Sequence, residues 1–224
     1  MKISTFGAGY VGLVTSSCLA ELGNRVVCCD TSTEKIQKLR AGQIPFFEPG
    51  LEELAFRNQK AGRLAFTTDP KEAIEQSEII FIAVGTPSLP DGSADVSAVF
   101  NVAKSIGQFL KNDRVIIVTK STVSLGTTPK VRGIIKKALE KRGLDLEFAV
   151  VNNPEFLRQG RAVEDSMVEG VNGWDCVYCL SRRLLLLAIA NHWGIIIRSL
   201  IHGGKKLCLE IKQIQEIFSV TVMV

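Results

Sequence analysis

Gly7-Ala8-Gly9-Tyr10-Val11-Gly12 follows the apolar run Ile3–Phe6 and opens the helical pattern Val11–Leu22, which Gly23 ends. Strand, glycine turn and helix in that order form one half of a βαβ unit, and the partner strand follows at Arg25–Asp30. Each glycine has its own reason. Gly7 admits the tight turn, Gly9 lets a ligand approach the backbone, and Gly12 lets the helix close on the strand. Outward from this unit the alternation repeats. Thr33–Arg40 reads as a second helix. A loop with Pro45, Pro49 and Gly50 leads to a third over Leu51 to about Lys60, and Leu64–Phe66 is a short strand. Asp69 as N-cap and Pro70 at the first helical position start a further helix. Glu78–Val84, Arg114–Thr119 and Phe148–Val151 read as strands, with helices over Val96–Leu110 and Thr127–Arg142 between them. Six strands separated by helices predict an α/β domain with a doubly wound, mainly parallel sheet and helices on both faces.

The glycine turn carries chemistry as well as shape. A helix N-terminus behind it offers N–H groups and the positive dipole end to a pyrophosphate. Asp30 ends the second strand at the spacing where a carboxylate accepts both hydroxyls of an adenosine ribose and repels a 2′-phosphate. Together they predict a Rossmann site for NAD rather than NADP. Later strands end in polar loops: Gly85-Thr86-Pro87, Lys120-Ser121-Thr122-Val123, and Asn152-Asn153-Pro154-Glu155-Phe156-Leu157. Carboxyl ends of parallel strands line the ligand crevice, so these three loops are expected to converge there. Thr122 and Glu155 are then candidates to orient a water or accept a proton. Taken singly, each is equally a loop residue bonded to backbone.

Composition narrows the class. The chain has 224 residues, 46% hydrophobic and 22% charged, which excludes a disordered or collagen-like chain. A net charge of +4 without a clustered basic patch argues against nucleic acid. The run Lys136, Lys137, Lys141 and Arg142 reads as a solvated helix face. No signal peptide is visible, and Leu184–Ile197 is broken by Asn191, His192 and Gly194, short of a membrane span. The chain therefore reads as cytoplasmic, with reduced thiols. Cys18, Cys28 and Cys29 read as packing residues. Cys176-Val177-Tyr178-Cys179 has ligand-like spacing but no second paired motif, so no metal is expected. The last third departs from the rest. All seven prolines lie at or before Pro154, and Leu180–Ile197 fits helix or strand equally. Residues 167–224 read as an aberrant or truncated tail after a domain over 1–166.

The motifs in series resemble the UDP-glucose/GDP-mannose dehydrogenase family. The matching segments are Gly7–Gly12, Glu48-Pro49-Gly50-Leu51, Ala61-Gly62-Arg63-Leu64, Thr67-Thr68-Asp69, Val84-Gly85-Thr86-Pro87, Asp91-Gly92-Ser93-Ala94-Asp95, Lys120–Val123 and Asn153–Leu157. The resemblance implies NAD-dependent oxidation of a sugar-nucleotide C6 alcohol in two steps, UDP-glucose to UDP-glucuronate. A cysteine would hold the aldehyde-level carbon, and water would cleave the resulting thioester. It implies a cofactor site of Gly7, Gly9, Tyr10, Val11, Gly12, Asp30, Lys35, Gly85, Thr86, Pro87, Ser121, Thr122 and Gln159. Val11 would meet the pyrophosphate, Asp30 and Lys35 the adenosine ribose, and Thr86 and Thr122 the nicotinamide half. Thr122 and Glu155 would position water, and Glu155, Phe156, Leu157, Arg158 and Gln159 would bind the UDP-sugar. The family commonly has Glu where Gln159 stands. The family's catalytic lysine helix and its Gly-Gly-x-Cys-Phe-Pro-Lys-Asp segment have no counterpart after Ser166, and Cys208 lacks the motif around it. A frameshifted or truncated coding sequence is the expected cause, with the chain inactive alone. A homodimer is expected for an intact member. GDP-mannose or UDP-N-acetylmannosamine as substrate, and a non-catalytic nucleotide-binding protein, are the alternatives.

Overall fold

The computed structural model describes residues 1–153, 155 and 157–167. Six strands, β1 (Lys2–Phe6), β2 (Arg25–Cys29), β3 (Leu64–Thr67), β4 (Ile79–Ile82), β5 (Val115–Thr119) and β6 (Phe148–Asn152), form one sheet in the order β3-β2-β1-β4-β5-β6. Every pairing is parallel. The helices are α1 (Tyr10–Glu21), α2 (Thr33–Arg40), α3 (Leu51–Lys60), α4 (Pro70–Ile74), α5 (Ser97–Phe109), α6 (Thr127–Lys141) and α7 (Ala162–Met167). This is the doubly wound arrangement, and its order reverses between β1 and β4, where ligands of such sheets bind.

The core has two halves divided by the sheet. In β4, Ile79 and Phe81 pack with α1, α2 and α3, while Ile80 and Ile82 pack with α4, α5 and α6. Strands buried on both faces read as continuous apolar runs, as parallel sheets require. Residues 12–20 of α1 are all buried, because α3 and α7 pack on the side away from the sheet. On the other face α5 lies against α6 at Gly107, where an added Cβ would stand 2.5 Å from Ala138 Cβ and 3.2 Å from Ile135 O. Gly107→Ala is therefore expected to force the two helices apart and cost about 1–3 kcal/mol. Urea unfolding followed by circular dichroism tests it; an unchanged midpoint would refute the contact.

Most elements lie within a residue or two of their expected bounds. The fourth strand is shorter than Glu78–Val84. Ala83 N donates to Phe6 O (2.8 Å), the last rung before β1 gives way to the glycine turn. Helix α7 is absent from the sequence reading; six residues hold no periodicity, and its support comes from elsewhere in the chain. Cys18, Cys28 and Cys29 are buried free thiols. Cys176, Cys179, Cys208, Phe156 and the Leu180–Ile197 run lie outside the described residues.

Candidate functional site

The carboxyl ends of the strands form one rim, and the glycine turn is its centre. Gly7 takes φ +102° and donates its N–H to Cys29 O (2.8 Å). A Cβ on Gly12 would lie 1.7 Å from Gly7 O, so turn and helix touch through backbone. Gly9, by contrast, is exposed, and its Cβ would meet nothing within 4 Å. Gly9 is also the N-cap of α1. Among the described residues no side chain caps that end, and no acid occupies the first turn. Open backbone at an uncapped helix N-terminus is a fit for a pyrophosphate.

Asp30 is held at the turn by three donors. Oδ2 accepts from Ala8 N (2.7 Å) and Lys35 Nζ (2.9 Å), and Oδ1 accepts from Ser32 N (2.9 Å). Burial pushes this carboxyl up, but the bonds from Ser32, Lys35 and Ala8 outweigh it and hold it below the ordinary range. Asp30 is thus an oriented anion whose bond to Ala8 locks it to the glycine turn.

The three later loops do meet. Thr86 Oγ1 donates to Thr122 O (2.9 Å) and Ser121 Oγ to Val84 O (2.6 Å), joining the loops after β4 and β5. Lys120, buried, donates from Nζ to Asn153 Oδ1 (3.2 Å), and Asn153 N to Thr119 O (2.9 Å), joining β5 to β6. Gly85, Pro87 and Thr122 are exposed on this rim. Thr86 and Ser121 spend their hydroxyl protons on backbone and keep only acceptor capacity outward. Glu155 Oε2 accepts from Leu157 N (2.8 Å), a local turn that leaves Oε1 for other partners.

Two side chains have partners the sequence did not suggest. Arg158 forms a two-pronged pair with Asp165, Nε to Oδ2 at 2.7 Å and Nη2 to Oδ1 at 2.6 Å, which ties its loop to α7. Its backbone carbonyl faces Tyr10, whose hydroxyl stands 3.4 Å away. Tyr10 turns its side chain away from the glycine turn, placing its hydroxyl 2.7 Å from Glu48 Oε2 and its ring 5.2 Å from that of Phe46. Val11 is half-buried and Gln159 is exposed.

Glu48 is the residue that sequence reasoning missed. It is 4% exposed, and its carboxylate also accepts from Gly160 N (2.7 Å) and Ala162 N (2.7 Å). Its only trace in the sequence is membership of the Glu48–Leu51 segment. Burial raises this carboxyl, but the bonds from Tyr10, Gly160, Ala162 and Val163 bring it below its ordinary value. A depressed native value means stabilisation that is complete above the unfolded value and lost as pH falls through the native one. The neighbouring Tyr10 hydroxyl is raised by burial, then by Glu48, and the Cys18 thiol is pushed by burial to about 12, so neither titrates in acid. As pH falls below the ordinary carboxylate range and through the depressed native value of Glu48, α7 should therefore loosen before the sheet does. Limited proteolysis within 157–167 alongside circular dichroism tests this; cleavage that waits for the sheet to melt would count against it.

Among the described residues no cluster of metal-ligating side chains forms, and no helix is long and apolar enough to cross a membrane.

Known proteins share this arrangement. Residues 1–170 match the family model described as the UDP-glucose/GDP-mannose dehydrogenase family, NAD binding domain. The chain is 50% identical over 166 residues to UDP-glucose 6-dehydrogenase TuaD of Bacillus subtilis (strain 168), covering 74% of this chain and 35% of the relative. It is 40% identical over 167 residues to GDP-mannose 6-dehydrogenase of Pseudomonas aeruginosa, covering 74% and 38%. Among solved structures, a ternary complex of the Pseudomonas aeruginosa GDP-mannose dehydrogenase superposes with TM-score 0.69 at 39% identity, over 75% of this chain and 39% of that one. A UDP-glucose dehydrogenase from Pyrobaculum islandicum superposes with TM-score 0.67 at 41% identity, over 75% and 38%. The chain spans little more than a third of the length of these relatives. The glycine turn, its oriented acid and the three joined loops all lie within the residues that match this NAD-binding domain, and the chain belongs to the UDP-glucose/GDP-mannose dehydrogenase family.

Proposed function

We propose that this chain supplies the NAD-binding domain of a UDP-glucose 6-dehydrogenase, whose reaction takes the C6 alcohol of the sugar to the acid. The observation that carries the reading is the open backbone at Gly9 beside an uncapped α1, with Asp30 fixed to the same turn. Gly7, Gly9, Val11 and Gly12 would form the pyrophosphate cradle, with Asp30 and Lys35 on the adenosine ribose. Gly85, Thr86, Pro87, Ser121 and Thr122 would face the nicotinamide half, with Gln159 nearby. The loop after β6, Glu155 to Gln159, would take the sugar nucleotide. Its Arg158 side chain is committed to Asp165, so we assign that residue a backbone role. NAD, when bound, supplies the hydride acceptor; the protein's part is to orient it and shape the crevice.

The thiol step needs a nucleophile that these residues do not offer. Cys18, Cys28 and Cys29 are pushed to about 12, by burial first, and lie inside the core. Thr122 and Glu155 remain the pair proposed to position water. We therefore expect the chain to bind NAD in preference to NADP without sustained NADH production. Titration calorimetry with each nucleotide, followed by an assay of NADH formed from UDP-glucose or GDP-mannose, tests the reading. Failure to bind NAD would sink it, and sustained turnover would sink the expectation of inactivity. The relatives named for GDP-mannose favour a second substrate reading. Competition between UDP-glucose and GDP-mannose decides between them.

A further inference from the structure

Glu48 joins three stretches of chain that lie far apart in sequence. Its Oε2 is shared by the Tyr10 hydroxyl (2.7 Å) and Gly160 N (2.7 Å). Its Oε1 is shared by Ala162 N (2.7 Å) and Val163 N (3.5 Å). Tyr10 is the first residue of α1, so its backbone belongs to the glycine turn while its side chain reaches the loop after β6. Gly160 takes φ +84° at the bend into α7, and Ala162 and Val163 are that helix's first two residues. A six-residue helix does not hold itself in water. A buried anion 114 residues away is what occupies its free N–H groups. The anion is itself held firmly. Leu51 N donates to Glu48 O (3.1 Å), fixing Glu48 to the start of α3, which packs on α1.

We propose that Glu48 is a positioning residue that couples the cofactor turn to the sugar-nucleotide loop. The proposal rests on the NAD reading above. The argument is one of shared atoms. Tyr10 cannot shift without changing its bond to Oε2, and Oε2 cannot shift without changing its bond to Gly160. A ligand that orders the first turn of α1 therefore orders residues 157–163 as well. By reciprocity, a ligand on that loop steadies the cofactor turn. The charge matters as well as the shape. A carboxylate accepts from all four donors, two on each oxygen, whereas the nitrogen of the isosteric amide accepts from none, so both donors on that side lose their acceptor.

Hydrogen exchange read by mass spectrometry on the full chain, with and without NAD, tests the proposal. In the unaltered chain NAD should slow exchange both at residues 7–13 and at 157–163. Glu48→Gln should speed ligand-free exchange by about tenfold at whichever of Gly160 and Ala162 faces the amide nitrogen, the effect of losing a charged acceptor. It should also abolish the NAD effect at 157–163 while the effect at 7–13 persists. Tyr10→Phe keeps the ring on Phe46 and removes only the hydroxyl. It should reduce the NAD effect at 157–163 by more than half, which keeps the test available if Glu48→Gln does not fold. NAD protection confined to 7–13 in the unaltered chain, or protection of 157–163 that survives both substitutions, overturns the coupling and leaves the NAD reading standing. Absence of protection at 7–13 overturns both.

Discussion

Gly12→Ala is expected to destroy the native domain, whereas Gly9→Ala, three residues away, is expected to keep the fold and lose NAD. The new methyl at Gly12 would sit 1.7 Å from Gly7 O and 2.9 Å from Gly7 C, with Ala83 Cβ at 3.5 Å. The first two are backbone atoms with nowhere to go. Gly7 is held by its bond to Cys29 O on one side and lies against Ala83 on the other, where its own Cβ would stand 2.5 Å from Ala83 O. Relief would require α1 to lift from the sheet and expose residues buried along its length. Ordinary overpacking costs about 1–3 kcal/mol because side chains can move. Here they cannot, and a loss on the order of 4 kcal/mol or more approaches the whole stability of a domain of this size. Gly9 is the opposite case. Its φ of −81° and ψ of −170° suit any residue, and the space around it is open. An alanine there should cost under about 1 kcal/mol as a poorer N-cap. The methyl would instead stand in the open space where the pyrophosphate is proposed to approach the backbone, so NAD affinity should drop at least about tenfold, the scale of one lost close contact. Thermal unfolding and NAD titration of both variants make the comparison. A Gly12→Ala protein that melts like the parent contradicts the packing argument. A Gly9→Ala protein that binds NAD undiminished removes the cradle.

What sequence could show here follows the range of the interactions. The glycine turn and Asp30 belong to one βαβ unit, so their roles follow from spacing within thirty residues. Helices α2 and α3 carry their boundaries in local caps and in the Pro-Gly loop before Leu51, and they fall where expected. Strands such as Ile79–Ile82 read clearly because both faces are buried. Convergence of the loops at Thr86, Thr122 and Asn153 follows from parallel polarity alone. Glu48 and α7 show the limit. A carboxylate and the N–H groups it serves lie more than a hundred residues apart, and neither segment carries a periodic or spacing signal. Arg158 shows a related limit. The family resemblance implied a ligand contact for it, and its guanidinium pairs with Asp165 one turn into the helix that sequence did not reveal.

Asp30→Ala is expected to weaken NAD binding by at least about a hundredfold, with a smaller loss for NADP. The first figure follows from two ribose hydroxyls donating to an ionised carboxylate, each worth about 1.5–3 kcal/mol in a partly dry site. NADP gains little from Asp30 and is repelled by it, so removing the charge should narrow the preference. The fold should feel the change too, because Ala8 N, Ser32 N and Lys35 Nζ lose their acceptor together. The Lys35 part of that loss is small, since its side chain is 33% exposed and water screens the pair. The Ala8 part is not, because the amide sits at 0% exposure in the turn itself. An unpaired buried donor there costs about 1–3 kcal/mol. Asp30→Asn separates the two effects. It can still accept from Ala8 or Ser32, so stability should recover most of its value while NAD affinity stays low. The native carboxyl is depressed, so its charge, and NAD binding with it, should hold constant from neutral pH down into the acid range and fail only as the folded value is reached. If Asp30→Ala and Asp30→Asn bind NAD equally and as well as the parent, Asp30 is an anchor for Ala8 and the ribose is held elsewhere. If both lose NAD but only Asp30→Ala loses stability, the same carboxylate shapes the turn and recognises the cofactor.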